Sequence, residues 1–133
     1  MKKTPLRKKS KSDIRKVQDL LWQELRRIIR EQYGNDCYTC GKKNLQGSDC
    51  QLGHVPYPKA SLGAYLKYDM RLCRFQCYNC NINKGGMGAE AYKRMLKEEG
   101  QAYMDKIEKD RQVTVKASDF YTKLLSEYKN ITK

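Results

Sequence analysis

Four of the six cysteines fall in two Cys-x-x-Cys turns, Cys37-Tyr38-Thr39-Cys40-Gly41 and Cys77-Tyr78-Asn79-Cys80-Asn81. Such a turn sets two sulfurs on one side of a tight knuckle, with backbone amides aimed at them. Two knuckles complete a tetrahedral zinc site with Zn–S near ~2.3 Å. Disulfides need an export route, and no apolar leader follows the basic start Met1–Ser12. A redox Cys-x-x-Cys explains one pair but not two. Cys50 and Cys73 read as small buried residues, or as spare thiols able to replace a ligand. Residues 35–88 are dense in Gly, Cys and Tyr, and no helical period persists there. That region is expected to draw its folding energy from metal rather than from a hydrophobic stripe.

The knuckles are separated by residues 41–76, 36 positions, against roughly 15–20 in a simple zinc ribbon. The insert carries Leu52-Gly53-His54-Val55, with the only histidine of the chain, then Pro56, Pro58 and a loop rich in Gly, Ser, Ala and Tyr to Tyr68. A histidine between two knuckles is the layout of a ββα-metal site, in which a hairpin presents the histidine to a helix that starts at the second knuckle. Tyr57, Tyr65 and Tyr68 of the insert are expected to pack the loop, with stacking on unpaired bases as the other use for such rings.

Helical periodicity frames this core. Ser12 is the expected N-cap of a helix over 12–34, with Ile14, Val17, Leu21, Leu25 and Ile28 on one face, widened by Leu20, Trp22 and Ile29, and Gly34 as its stop. Residues 89–133 predict helices over Ala89–Glu99 and Gln101–Arg111, broken at Gly100, an extended link at Val113-Thr114-Val115, and a last helix capped by Ser118. No stretch approaches the roughly 18 apolar residues of a spanning helix. The expected location is therefore cytoplasmic.

The charge points to a polyanion. Of the net +13, residues 1–36 supply +6, residues 37–88 supply +5 and residues 89–133 only +2. Residues 1–11 read as a disordered basic arm in which Lys2, Lys3, Arg7, Lys8, Lys9 and Lys11 suit phosphate contact through counterion release. Arg71, Arg74 and Lys84 of the core are candidates for the same role. A solubilising arm and an anionic membrane surface are the competing uses of such a run. No basic amphipathic helix with Trp and Phe anchors overlaps it, so nucleic acid leads.

As a set, Cys-x-x-Cys-Gly, Gln51-Leu52-Gly53-His54, Gln76-Cys77-Tyr78-Asn79-Cys80-Asn81, Gly85-Gly86 and Ala91-Tyr92-Lys93-Arg94-x-Leu96 resemble the phage NinG (Rap) recombination proteins. These group with HNH-type, ββα-metal nucleases, and the resemblance covers roughly residues 15–110. It implies cleavage of branched DNA with a divalent metal. By the same resemblance His54 is the general base, and Asn81 sits where a metal-binding His or Asn stands. Lys84 matches a basic residue near the scissile phosphate, and Gln51 a variable polar position. Gln51, His54 and Asn81 would then hold Mg²⁺ or Mn²⁺. Two positions depart from the pattern. The Asn that orients the histidine is Leu72 here, and Gly53 stands where a metal-binding partner often precedes the histidine. The nearest carboxylates in sequence are Asp49 and Asp69.

The chain thus reads as α+β, a small zinc-stabilised ββα-metal core, HNH-like and treble-clef-like, flanked by helices. Its expected function is a metal-dependent DNA endonuclease on branched intermediates. The alternative on the same residues is a non-catalytic zinc module that binds nucleic acid structure, with His54 as a packing residue.

Overall fold

The structure, a computed structural model, describes residues 10–131. The basic arm from Lys2 to Lys9 lies outside the described residues. The first helix, α1, spans Lys11–Tyr33. Its N-cap is Ser10 rather than Ser12. The Ser10 hydroxyl accepts from the Asp13 amide at 3.2 Å, and the Asp13 carboxylate accepts from the Ser10 amide at 3.2 Å, a reciprocal capping box. Ser12 instead lies inside the first turn, so Lys11 is helical and exposed rather than part of an arm. Gly34, at φ +73°, ends the helix in a left-handed conformation that favours glycine.

Two short strands follow, β1 (Gln51–His54) and β2 (Cys73–Gln76), paired antiparallel with Gln51 opposite Gln76 and His54 opposite Cys73. The connection between them is no tight hairpin. It carries a 3₁₀ turn at Lys59–Ser61, the one-turn helix α2 (Ala64–Lys67) and a second 3₁₀ turn at Met70–Leu72. After the second knuckle the chain makes only a π turn at Asn79–Asn83 before α3 (Gly88–Glu99). The expected helix at that knuckle is therefore a single turn. Gly100, at φ +88°, separates α3 from α4 (Gln101–Asp110). The link over 113–116 carries no helix or strand, and Lys116 at its end is extended. The last helix, α5 (Ala117–Lys129), has Lys116 at its N-cap with no side-chain cap. Ser118 lies within that helix, where its carbonyl accepts from Thr122.

Two apolar clusters hold these pieces. In the first, Leu21, Leu25, Ile28 and Ile29 of α1 meet Phe75 of β2, Tyr121, Leu125 and Tyr128 of α5, and the cysteines Cys37, Cys50, Cys73, Cys77 and Cys80. The second joins Val55, Leu62, Leu66 and Leu72 of the insert to Ala91, Met95, Met104 and Ile107 of α3 and α4. Leu72 is fully buried there, so the position expected to carry a polar orienting side chain serves packing instead. Tyr128 pins the insert to α5. Its hydroxyl donates to the Tyr68 carbonyl at 2.6 Å and accepts from the Met70 amide at 3.2 Å. Among the described residues no helix is long and apolar enough to cross a membrane.

Candidate functional site

The four knuckle sulfurs converge. Those of Cys37, Cys40, Cys77 and Cys80 all lie within 4.8 Å of one another, and Cys40 and Cys77 are 3.7 Å apart. Sulfurs around a tetrahedral zinc at about 2.3 Å would stand roughly 3.8 Å apart, so the donor set can hold a metal ion such as zinc. The local backbone is made for it. The Gly41 amide donates to the Cys37 carbonyl at 3.0 Å, and Gly41 adopts φ +79°. The Cys80 amide points at Cys77 Sγ at 3.5 Å. Burial opposes charge on Cys37, but the amides of Cys40 and Cys77, with the Thr39 hydroxyl, outweigh it and bring the thiol down to about 6. Cys50 and Cys73 stand apart from this cluster and are buried. Burial drives the Cys73 thiol upward, which keeps it neutral and inert.

Strand β1 divides the remaining candidates. Successive side chains of a strand point to opposite faces, so Gln51 and Gly53 share one face and Leu52 and His54 the other. On the first face the three amides are ordered by their partners. Gln51 Nε2 donates to the Ser48 carbonyl at 3.0 Å, and Asn81 Nδ2 donates to Gln51 Oε1 at 2.8 Å. Gln76 Nε2 donates to the Gly86 carbonyl at 2.7 Å and to Thr39 Oγ1 at 3.1 Å. Flipping any of these amides would set oxygen against oxygen. Asn81 Oδ1 and Gln76 Oε1 are therefore turned toward Gly53, and the Gln76 oxygen is buried with no hydrogen-bond partner. Asn81 sits mid-turn and bonds Gln51; it is not a helix cap.

This packing explains Gly53. A Cβ there would lie 2.5 Å from Gln76 Oε1 and 2.7 Å from Asn81 Oδ1. Gln76 is fully buried and held through its amide nitrogen, so it cannot yield cheaply. Gly53→Ala is expected to cost about 1–3 kcal/mol by overpacking, read as a fall in the denaturant midpoint at unchanged slope. An unaltered midpoint would show that the amide cluster is loose.

His54 faces α1. Its ring stacks on Trp22 with centroids 5.2 Å apart and planes 20° from parallel. Its Nε2 lies 2.8 Å from the Lys67 carbonyl. A carbonyl only accepts, so Nε2 carries the proton and Nδ1 of the neutral ring is an acceptor. The backbone of the insert thus does the orienting that the missing Asn would have done. Burial, aided by the charges of Lys59 and Lys67, lowers the His54 pKa below 6.5 against the opposing pull of the Lys67 carbonyl, so the ring is neutral at pH 7.

His54 does not share a cavity with Gln51 and Asn81. It lines a cleft of about 560 Å³ with Gln18, Asp19, Trp22, Gln23, Lys59 and Tyr68. Gln51 and Asn81 line another with Arg26, Ser48 and Cys50, and Trp22 forms part of both walls. Sequence reasoning missed three groups here: the Trp22 ring, the Lys67 carbonyl and the Asp19 carboxylate. Asp49 and Asp69, the carboxylates it did weigh, are otherwise committed. Asp49 accepts from Lys42 and from the Tyr78 amide, and Asp69 accepts from Arg71. A helical face running through Asp19, Trp22 and Arg26 was the available signal for Asp19.

The basic candidates separate as well. Arg74 is 2% exposed, which corrects its assignment to nucleic acid. Its guanidinium donates to the Met70 and Cys73 carbonyls at 2.9 and 2.8 Å, donates to the Tyr33 hydroxyl at 3.1 Å, and lies over the Tyr33 ring. Its two terminal nitrogens are satisfied inside the fold and tie β2 to α1, while the buried Nε has no hydrogen-bond partner. Arg71 is likewise spent inside the fold, paired with Asp69 at 2.8 Å and with the buried Asp110 at 2.9 Å, so it latches the insert to α4. Lys84, at the end of the π turn, is exposed and stays available to a phosphate. Lys2, Lys3, Arg7, Lys8 and Lys9 lie outside the described residues.

No curated protein and no solved structure matches the chain. A family model does, the bacteriophage lambda NinG protein, and it matches residues 1–133. The match runs through both knuckles, the His54 strand and all five helices, so the whole chain belongs to the NinG family.

Proposed function

We propose that this NinG-family chain is an HNH-type, metal-dependent endonuclease acting on branched DNA recombination intermediates in the cytoplasm of the bacterial host. Its knuckle-and-strand unit serves as a ββα-metal core held by one structural zinc. The observation that carries the reading is the state of His54: neutral, tied through Nε2 to a backbone carbonyl, with Nδ1 left as an acceptor beside an open cleft in a strongly basic chain. In that state Nδ1 takes a proton from water as the water oxygen attacks phosphorus in line; the bond to the 3′ oxygen breaks, and that oxygen takes a proton from solvent to leave as a hydroxyl. Lys84, exposed at the end of the π turn, is proposed as a further cation for the phosphate.

A divalent ion fits the amide face in a restricted way. Asn81 Oδ1 and the unpartnered Gln76 Oε1 are oxygen donors, with Gln51 behind them, but no carboxylate joins them. Mg²⁺ and Mn²⁺ favour carboxylate and phosphate oxygens, so substrate oxygens must complete the shell. When bound, such an ion supplies charge neutralisation at the phosphate. The separation of His54 from this amide cluster favours a second reading, a zinc module that binds branched DNA without cutting it. Incubating duplex, single-stranded, flap and four-way DNA with Mg²⁺ or Mn²⁺ decides between them.

The arm makes a separate prediction. Removing residues 1–9 takes away Lys2, Lys3, Arg7, Lys8 and Lys9 and leaves the Ser10 capping box. Affinity is expected to fall about equally for all DNA sequences, with the log–log salt slope flattened by up to about 4–5, roughly 0.9 per lost phosphate contact. An unchanged slope in a salt titration would mean that the arm does not touch DNA.

A further inference from the structure

The cleft in front of His54 has a division of chemistry that a phosphate backbone alone does not require. The wall from α1 offers Gln18, Asp19, Trp22 and Gln23; the wall from β1 and the insert offers His54, Lys59 and Tyr68. The Lys59 charge reaches His54, whereas the Asp19 charge is felt at Tyr68. The α1 wall therefore offers the Asp19 carboxylate and the Gln23 amide with no cation, its Gln18 amide being taken up by Tyr68 opposite, and the other wall carries a cation beside the histidine. Trp22 of the α1 wall meets the other wall, its ring stacked on His54 and set edge-on to Tyr68 at 6.3 Å and 76°. Those contacts hold the indole in place, so it offers a preorganised surface at little entropic cost.

We propose that this cleft is a pocket for a single unpaired nucleotide. Its base lies against Trp22 with its edge toward Asp19 and Gln23, and its phosphate lies toward Lys59 and His54. The volume of about 560 Å³ falls within the roughly 300–1,000 Å³ of small-ligand sites. A carboxylate repels a bare phosphate but accepts from base amino groups, as Asp and Glu do from cytosine N4. In duplex DNA one hydrogen of each amino group stays free in the major groove but both faces of the base are stacked, so only a base outside the helix can lay a face on Trp22 while its amino group reaches this wall. The pocket rests on the nuclease reading in one respect: it names the substrate class, DNA with an unpaired nucleotide beside the scissile phosphate.

Trp22 is the only tryptophan and lines the pocket, so its fluorescence reports occupancy directly. The test uses the full zinc-loaded chain with no added divalent ion, so that binding is read without cleavage. Short single-stranded oligonucleotides, abasic oligomers of equal length and charge, and duplex are titrated at one salt concentration. Base-containing strands are expected to change Trp22 emission and to bind roughly tenfold tighter than abasic ones, about 1.4 kcal/mol. Asp19 and Gln23 are exposed on α1, so Asp19→Ala and Gln23→Ala keep the fold. In the double variant the base-to-abasic ratio is expected to fall severalfold, to what stacking on Trp22 alone supplies, a change that a uniform shift in charge does not produce. Equal emission change and affinity for abasic and base-containing strands, or a ratio unaltered in the double variant, would overturn the pocket. The nuclease reading is judged separately: cleavage of branched DNA without a base-dependent signal sinks the pocket alone, and a base-dependent signal without cleavage sinks the nuclease alone.

Discussion

Cys77→Ser is expected to leave the region from residue 35 to residue 88 unfolded and the protein without bound zinc. Cys77 Sγ stands 3.7 Å from Cys40 Sγ and is the sulfur to which the Cys80 amide points. Losing it removes a thiolate that no neighbour replaces, because Cys50 and Cys73 are buried outside the cluster. Structural zinc contributes about 10–16 kcal/mol to folding in zinc-finger peptides, as much as the whole stability of a typical domain, about 5–15 kcal/mol. The damage spreads because the second knuckle follows directly on β2, whose Phe75 packs in the α1–α5 cluster, while Arg26 and Arg30 of α1 lie over its ring. Elemental analysis should find one zinc per chain in the native protein and none in the variant, with loss of cooperative unfolding. A native protein that is folded and free of zinc would contradict this account of the core.

His54→Ala is expected to lower DNA cleavage by about 10²–10⁴-fold while zinc content and the salt-dependent, duplex-binding part of DNA affinity stay nearly unchanged. The chain has no second histidine to take over the proton, and the zinc thiols belong to other elements. His54 is neutral at pH 7, so its loss leaves the electrostatic field as it was. The pH dependence follows from the same lowering. The base works when unprotonated, so the rate should hold constant above pH 6.5 and fall only as pH drops through the depressed folded value. The stability term has the same sign: a histidine whose folded pKa lies below its unfolded 6.5 contributes fully above that value and is lost as pH falls. Cleavage by the variant at the native rate would make His54 a packing residue.

What could be read from residues alone was what local spacing encodes. Each Cys-x-x-Cys brings its own two sulfurs together within four residues, so the four-thiol cluster that can hold a metal ion was legible residue by residue. The four long helices were legible to within a residue or two for the same reason, though the cap of α1 expected at Ser12 lies at Ser10, held by the reciprocal bond with Asp13, and the one-turn α2 was not foreseen. The site around His54 was not legible, because its partners come from other elements. Trp22 counted as one more apolar residue widening a helical stripe, and nothing local placed its ring on an imidazole. The Lys67 carbonyl is backbone and leaves no trace in residue identity, so its bond to the His54 ring could not be read from Leu72 or any other side chain. Arg71 and Arg74 were counted as surface charge because a sequence count cannot tell a guanidinium bound to carbonyls from one facing water.

The central claim, that this chain cuts branched DNA, is tested most directly by one experiment on the full-length zinc-loaded protein. Four-way and flap DNA, with matched linear duplex as control, are incubated with Mn²⁺ and resolved on a denaturing gel. The account predicts discrete incisions near the branch point, ending in 3′ hydroxyl and 5′ phosphate, that need the added divalent ion. Intact strands on every branched substrate that the protein demonstrably binds would contradict it and leave a zinc module that recognises DNA structure.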